Sequence, residues 1–266
     1  MKSRILVAVV GVPVLAWVVL WAPVAVMEYA LAALAMIAAY EMMKCVGLLE
    51  EGKQPGFLVW VTAFAAFWTV VGEQRDWPLL WCVYVVLAFV YAILKAGEVK
   101  LVQVLAGIFA AVMIPYSFSG FLRIEVMGLH RAYLLLPFIL SFACDTFAYF
   151  AGRAFGKHKL APKVSPKKTI EGSIGGMLGN VVCGLIFAFV MDRWFGGAIG
   201  YGAMVVLALA CSIVAQVGDL SFSLIKREFG IKDYSRLFLE HGGVLDRFDS
   251  VLFVTPVIEI ILQIVK

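Results

Sequence analysis

Apolar runs recur nine times along this chain, near residues 5–21, 24–43, 57–72, 77–94, 101–121, 133–152, 173–191, 197–217 and 250–265. The hydrocarbon core of a bilayer is roughly 30 Å thick, and a helix crosses it in about 20 apolar residues. No water is at hand there for backbone N–H and C=O groups, so each crossing segment satisfies them internally as a helix. Composition agrees, with 63% hydrophobic and 15% charged residues, where a soluble domain carries about 25% charged. The expectation is an all-α, polytopic membrane protein with about nine transmembrane helices.

The run at 5–21 follows Lys2 and Arg4 and has the look of a signal peptide. However, no small-x-small cleavage site follows, and the chain continues directly into another span. It is therefore read as a helix. Pro115, Pro137 and Pro256 interrupt three of the runs. The five cysteines, Cys45, Cys82, Cys144, Cys183 and Cys211, lie in or beside the runs without CxxC or CxxH spacing. They read as buried thiols, not as a disulfide or zinc framework.

Orientation follows from lysine and arginine placement. With the N-terminus in the cytoplasm, 17 of the 22 basic residues fall on the cytoplasmic side and 5 on the other. The net charge of +4 is thus spread between spans and does not point to nucleic acid. Two basic stretches face the cytoplasm in this reading: 152–172, and the long segment 223–249.

The second of these stretches concentrates the charge. Asp219 ends the eighth run, and helical periodicity continues to Gly230, a C-terminal stop signal. Asp219, Ser223 and Lys226 fall at i, i+4 and i+7, on one helix face. After a His241-Gly242-Gly243 turn, Asp246 and Asp249 share a face at the start of the ninth span. Carboxylates at water-facing helix ends suit magnesium, which takes carboxylate, water and phosphate oxygens. Lys226, Arg227, Lys232 and Arg247 alongside would hold phosphate charge. Together they describe a site that moves a phosphoryl or nucleotidyl group. The plainer alternative is a solvated cytoplasmic loop with snorkelling lysines.

In the other stretch, Lys167 and Lys168 precede Thr169, Glu171 and a glycine-rich helix start at about Gly172. Free amides, Gly172, Gly175, Gly176 and two lysines could cradle a phosphate. The GxxxxGK[ST] order of a P-loop is absent. The alternative is a positive-inside anchor followed by a glycine-lined helix contact. Asp145 is an intramembrane carboxylate that needs a polar cavity or a partner. Glu259 lies deeper with no partner evident, Glu28 and Glu41 read as structural, and His130 and His158 read as isolated and solvated.

The long segment resembles the signature of the phosphatidate cytidylyltransferases, or CDP-diacylglycerol synthases. Ser223, Lys226, Arg227, Lys232, Asp233, Ser235, His241, Gly242, Gly243, Asp246, Arg247 and Asp249 stand in its register. Ser165 to Gly172 matches a second family feature, Ser-Pro-Lys-Lys-Thr-x-Glu-Gly, and Asp145 matches a third. The resemblance is strong from about residue 140 onward. One departure is Leu239-Glu240 before His241, where the family has a Pro-Gly-like turn; Arg236 and Phe238 add further bulk.

The resemblance implies transfer from CTP to phosphatidic acid, giving CDP-diacylglycerol and pyrophosphate, with magnesium required. Asp219, Asp246 and Asp249 are the metal candidates on the residue reading, with Asp219 bridging to Asp246, and the resemblance allows a monovalent cation such as potassium beside the metal. Lys167, Lys168, Lys226 and Arg227 would hold the CTP and lipid phosphates. Ser165, Thr169, Glu171, Asp145, Ser223, Lys232, Asp233 and Arg247 would complete substrate binding, and His241, Gly242 and Gly243 would shape the loop over the nucleotide. The chain is then one integral membrane domain over 1–266, with N-terminal spans at 1–132 and catalytic spans and loops at 133–266. It would sit in the inner cell membrane with its site facing the cytoplasm; a homodimer is allowed. The runner-up is a CTP-dependent lipid-alcohol kinase. A transporter or scramblase, with Asp145 and Glu259 marking a polar path, lacks the related halves common in transporter folds.

Overall fold

The computed structural model describes residues 11, 13–48, 56–235, 237 and 242–265. Among them, eight α-helices have both ends defined. They are α1 (Val24–Cys45), α2 (Phe57–Val71), α3 (Trp77–Leu94), α4 (Leu101–Val126), α5 (Leu136–Phe155), α6 (Ile170–Phe195), α7 (Tyr201–Glu228) and α8 (Leu245–Val265). Residues 13–20 are also helical. Seven helical stretches are long and apolar enough to cross a membrane, whereas α2, at 15 residues, is shorter. The fold is all-α and multi-pass, and each of the nine apolar runs is largely helical where described.

Helix α3 shows why lipid is required. It is apolar along its whole length, yet only Trp77, Tyr84 and Ala88 are buried. Leu79 is 70% exposed and Leu94 78%. An apolar face of that extent is stable against hydrocarbon and not against water. Pro115 and Pro256 lie inside α4 and α8 without ending them, and Pro137 occupies the first turn of α5. Membrane helices tolerate interior proline, and the first turn has no hydrogen bond to lose.

The chain forms two compact units, one of residues 1–122 and 226–247, the other of 123–225 and 248–266. In the first, Met43, Leu58, Val59, Ala65, Tyr84, Ala88, Val104 and Ala111 form one buried cluster. Thr62 bonds both the Leu58 carbonyl at 2.6 Å and the Tyr84 hydroxyl at 2.7 Å, so these polar groups are satisfied inside the apolar core.

In the second unit, α5 packs on α6 through a stripe of small residues. A Cβ on Gly172 would meet the Ala148 carbonyl at 2.7 Å, and one on Gly176 the Cys144 carbonyl at 2.8 Å; one on Gly179 would strike the Phe147 ring. The glycines that the sequence offered as a phosphate cradle are therefore used for close helix contact. Gly176→Val should lower the stability of detergent-extracted protein by about 1–3 kcal/mol through overpacking. A lowered thermal midpoint is the readout; an unchanged one would mean that α5 can shift freely.

Between α5 and α6 the basic stretch folds into a hairpin, β1 (Lys159–Ala161) antiparallel to β2 (Ser165–Thr169). The sequence offers no strand signal there. The Val164 amide bonds the Ala161 carbonyl at 3.1 Å across a turn holding Pro162 and Lys163, and Ile170 N bonds the His158 carbonyl at 2.9 Å. Thr169 then caps α6, its hydroxyl accepting from Gly172 N at 3.1 Å.

Of the cysteines, Cys45, Cys144 and Cys211 are buried as expected, Cys183 is half-buried and Cys82 is exposed; all five are free thiols. Glu259, for which the sequence suggested no partner, meets Arg123 at 2.7 Å, with both side chains under a tenth exposed.

Candidate active site

The hairpin delivers Lys168 to the second unit's charged cluster. Its ammonium is seated on the Asp219 carboxylate, which also accepts from the Ser223 hydroxyl at 3.3 Å. The i, i+4 spacing on α7 thus produces the expected contact. Asp145 on α5 bonds Ser250 and lies within electrostatic reach of both Asp219 and Lys168. The Asp249 backbone lies against Gly218, where an added Cβ would meet its carbonyl at 2.8 Å; the Asp249 carboxylate accepts from Ser250 N at 2.7 Å. Lys167, next to Lys168 in the hairpin, is exposed and Ser165 half-buried.

Glu171 faces the hairpin's entry. Its carboxylate accepts from Lys157 N at 3.1 Å and His158 N at 3.2 Å, and it meets His158 Nδ1 at 2.6 Å. His158 is accordingly not isolated. His130 likewise has a task, since its Nδ1 accepts from Ala132 N at 3.2 Å and its ring lies 4.3 Å from that of Phe195.

In the first unit, α7 ends as the sequence suggests. Gly230 has φ of 68°. Its N–H bonds the Arg227 carbonyl at 3.2 Å and that of Ile231 bonds the Lys226 carbonyl at 2.9 Å, closing the helix with a left-handed cap. Lys226 Nζ reaches Asp246 Oδ1 at 2.7 Å and stands 5.3 Å from the Tyr234 ring centroid. Asp246 Oδ2 accepts from Tyr234 N at 2.7 Å and Gly243 N at 2.9 Å. About three of a carboxylate's roughly four acceptor positions are thereby taken. Asp246 fastens the loop as well as starting α8, a duty its spacing did not announce.

The Gly242-Gly243 pair is explained by the chain's own carboxylates. Gly242 has φ of 80°, a region open to glycine, and a Cβ there would meet Asp246 Oδ2 at 2.6 Å. A Cβ on Gly243 would collide with the carboxylate of Glu41. Glu41, which the sequence reads as structural, is thus a direct neighbour of this turn. It is 2% exposed. Lys232, Asp233 and Arg247 are exposed, as is Arg227, whose guanidinium lies 3.5 Å from the Ile231 carbonyl. His241, together with Arg236, Phe238, Leu239 and Glu240, lies outside the described residues, so the Leu239-Glu240 departure has no structural account here.

Both clusters pair lysines with aspartates, at the two segments that carry the signature. A family model described as the cytidylyltransferase family matches residues 2–265. The chain belongs to the cytidylyltransferase family. Among its curated relatives, the phosphatidate cytidylyltransferase of Staphylococcus haemolyticus is 32% identical over 270 residues, covering 98% of this chain and 99% of the relative. The Staphylococcus aureus protein of the same name is 32% identical over 269 residues, with the same coverage. That of Staphylococcus saprophyticus reaches 41% over 157 residues, 58% of each chain. Family membership gives nucleotidyltransferase activity to a membrane protein whose paired charges suit phosphate chemistry.

Proposed function

We propose that this protein is a phosphatidate cytidylyltransferase, joining CTP and phosphatidic acid into CDP-diacylglycerol with release of pyrophosphate. The observation that carries the reading is the Lys168–Asp219 pair, in which the Ser165–Gly172 motif meets, inside one unit, the helix that leads into the signature segment. In this reading the lipid's acyl chains stay in the bilayer and its phosphate lies at the cytoplasmic interface of the inner cell membrane. The 17-to-5 distribution of basic residues supports that orientation.

A phosphate oxygen of the lipid attacks the α-phosphorus of CTP. A new P–O bond forms as the bond to the β-phosphate's bridging oxygen breaks, and pyrophosphate leaves. A phosphate monoester has its second pKa at about 6, so the nucleophile is largely ionised near neutrality and needs no strong base. Positioning and charge neutralisation then carry the catalysis. Lys168 and Lys226 are held in place by Asp219 and Asp246, whereas Lys167 and Lys232 are exposed for incoming phosphates.

The same reading includes magnesium. Among the described residues, no three His, Cys, Asp or Glu side chains gather as a protein-only metal cage. Magnesium does not require one, because it is usually held by one or two carboxylates plus waters and substrate phosphates. Asp219 with Asp145 nearby fits that demand, and a positive group, the Lys168 ammonium, already sits on Asp219. Bound magnesium would neutralise phosphate charge. Asp246 and Asp249 are the other carboxylates that their placement in the sequence proposes for it; potassium as a second cation and a homodimer remain part of the proposal.

Purified protein with phosphatidic acid, magnesium and labelled CTP tests the reading. Pyrophosphate and a cytidine-bearing lipid are expected. CDP with a phosphorylated lipid alcohol would point instead to the kinase chemistry, and no nucleotide turnover would sink both. Lys167→Ala and Lys168→Ala are expected to raise the CTP requirement by about ten- to a hundredfold each, since charge-assisted contacts contribute about 1.5–3 kcal/mol. Unchanged nucleotide kinetics with altered loop accessibility would show that these lysines serve only as anchors.

A further inference from the structure

Glu41 lies in the first unit, far in sequence from the signature segment, yet its carboxylate holds both ends of the turn that carries Gly242 and Gly243. On one side it accepts from the Ser235 hydroxyl at 2.6 Å, and that hydroxyl in turn accepts from Leu237 N at 3.2 Å. On the other it accepts from Val244 N at 3.0 Å and Leu245 N at 2.9 Å, the amides that open α8. Helix-opening amides have no intrahelical partner and carry partial positive charge. A buried carboxylate supplied from α1 answers both needs, and a buried acceptor of this kind is costly to remove.

We infer that Glu41 is a positioning residue for the transferase reaction. It sets the Gly242–Gly243 turn and the first turn of α8, and through them the Asp246 carboxylate, before the nucleoside triphosphate arrives. Two features support positioning beyond general packing. Gly243 has no room for a side chain because Glu41 stands there, so the turn and the carboxylate are fitted to each other. Asp246 takes its Oδ2 bonds from Tyr234 N and Gly243 N, the residues next to Ser235 and Val244, which Glu41 holds. The inference rests on the proposed reaction for its kinetic readout but not for its structural one.

The test compares the parent with E41Q, E41A, G243A and E41A/G243A in micelles, by thermal midpoint, by tryptic cleavage after Lys232 and by initial rates against CTP concentration. E41Q is expected to raise the nucleotide KM about tenfold while kcat changes by less than about threefold, because a residue that merely supports folding would scale active enzyme without moving KM. Cleavage after Lys232 should accelerate by about tenfold as the turn opens. G243A should be as damaging in the parent, yet add little in E41A, where the colliding carboxylate is gone; such coupling is the mark of a fitted pair. Parental KM and cleavage in E41Q, or additive losses in the double variant, would overturn the inference. Should E41A fail to fold, E41Q decides alone, since its amide keeps an oxygen acceptor. A parent that turns over no CTP would defeat the functional reading, and the cleavage arm would still judge Glu41.

Discussion

Asp219→Asn is expected to lower turnover of CTP and phosphatidic acid by about two to three orders of magnitude, with extraction and thermal midpoint near those of the parent. Asparagine has the same shape and can keep the Ser223 contact, so the fold has little to lose. What goes is the negative charge on which Lys168 is seated and to which, in the proposed function, the cation is drawn. Lost charge stabilisation of several kcal/mol converts to that factor, at about 1.4 kcal/mol per tenfold. Asp246→Asn should lose as much by a different route. Its amide nitrogen cannot accept, so either Lys226 or the Tyr234 and Gly243 amides would face a donor. Tryptic cleavage after Lys232 separates the two, since both changes are expected to shift the magnesium requirement and only Asp246→Asn also releases the Tyr234 and Gly243 amides. Parental activity of Asp219→Asn at limiting magnesium would remove Asp219 from the site.

Glu259→Ala is expected to be the most destabilising single change in the second unit, by about 3–5 kcal/mol. Arg123 and Glu259 meet at 2.7 Å with side chains 8% and 6% exposed, so the pair is cut off from water. Removing the carboxylate leaves the Arg123 charge without it in a medium of low dielectric. Replacing both partners, Arg123→Met with Glu259→Leu, should recover most of the loss, because an apolar pair of similar volume carries no desolvation cost. Unfolding of the two variants in mixed micelles gives the comparison. If Glu259→Ala unfolds like the parent, the pair is ornamental to stability; if the double variant is as weak as the single, its value lies in packing shape and not in charge.

The expectations that held share one physical basis, namely short-range pattern. Apolar runs of spanning length became helices, Gly230 closed α7, and α6 began at Ile170, two residues before the expected start. The i, i+4 spacing of Asp219 and Ser223 became a hydrogen bond. Proline was a poorer guide, because interior Pro115 and Pro256 did not break their helices as they would in water. The β-hairpin was missed because its strands are three and five residues of mostly polar sequence, too short for alternation to register.

By itself, then, the sequence determined the membrane class, the helical segments and the two charged segments where chemistry gathers, since each depends on neighbours within a few turns of one helix. Only the tertiary structure decided which charge meets which: Lys168 with Asp219, Lys226 with Asp246, Arg123 with Glu259, and Glu41 with the turn some 200 positions away, the separation to Val244 being 203. Spacing along the chain cannot report such pairings. An ion pair or a buried acceptor is selected by which surfaces pack together, and the free energy that fixes it, the cost of leaving a charge or an amide unmet away from water, exists only once the chain has folded.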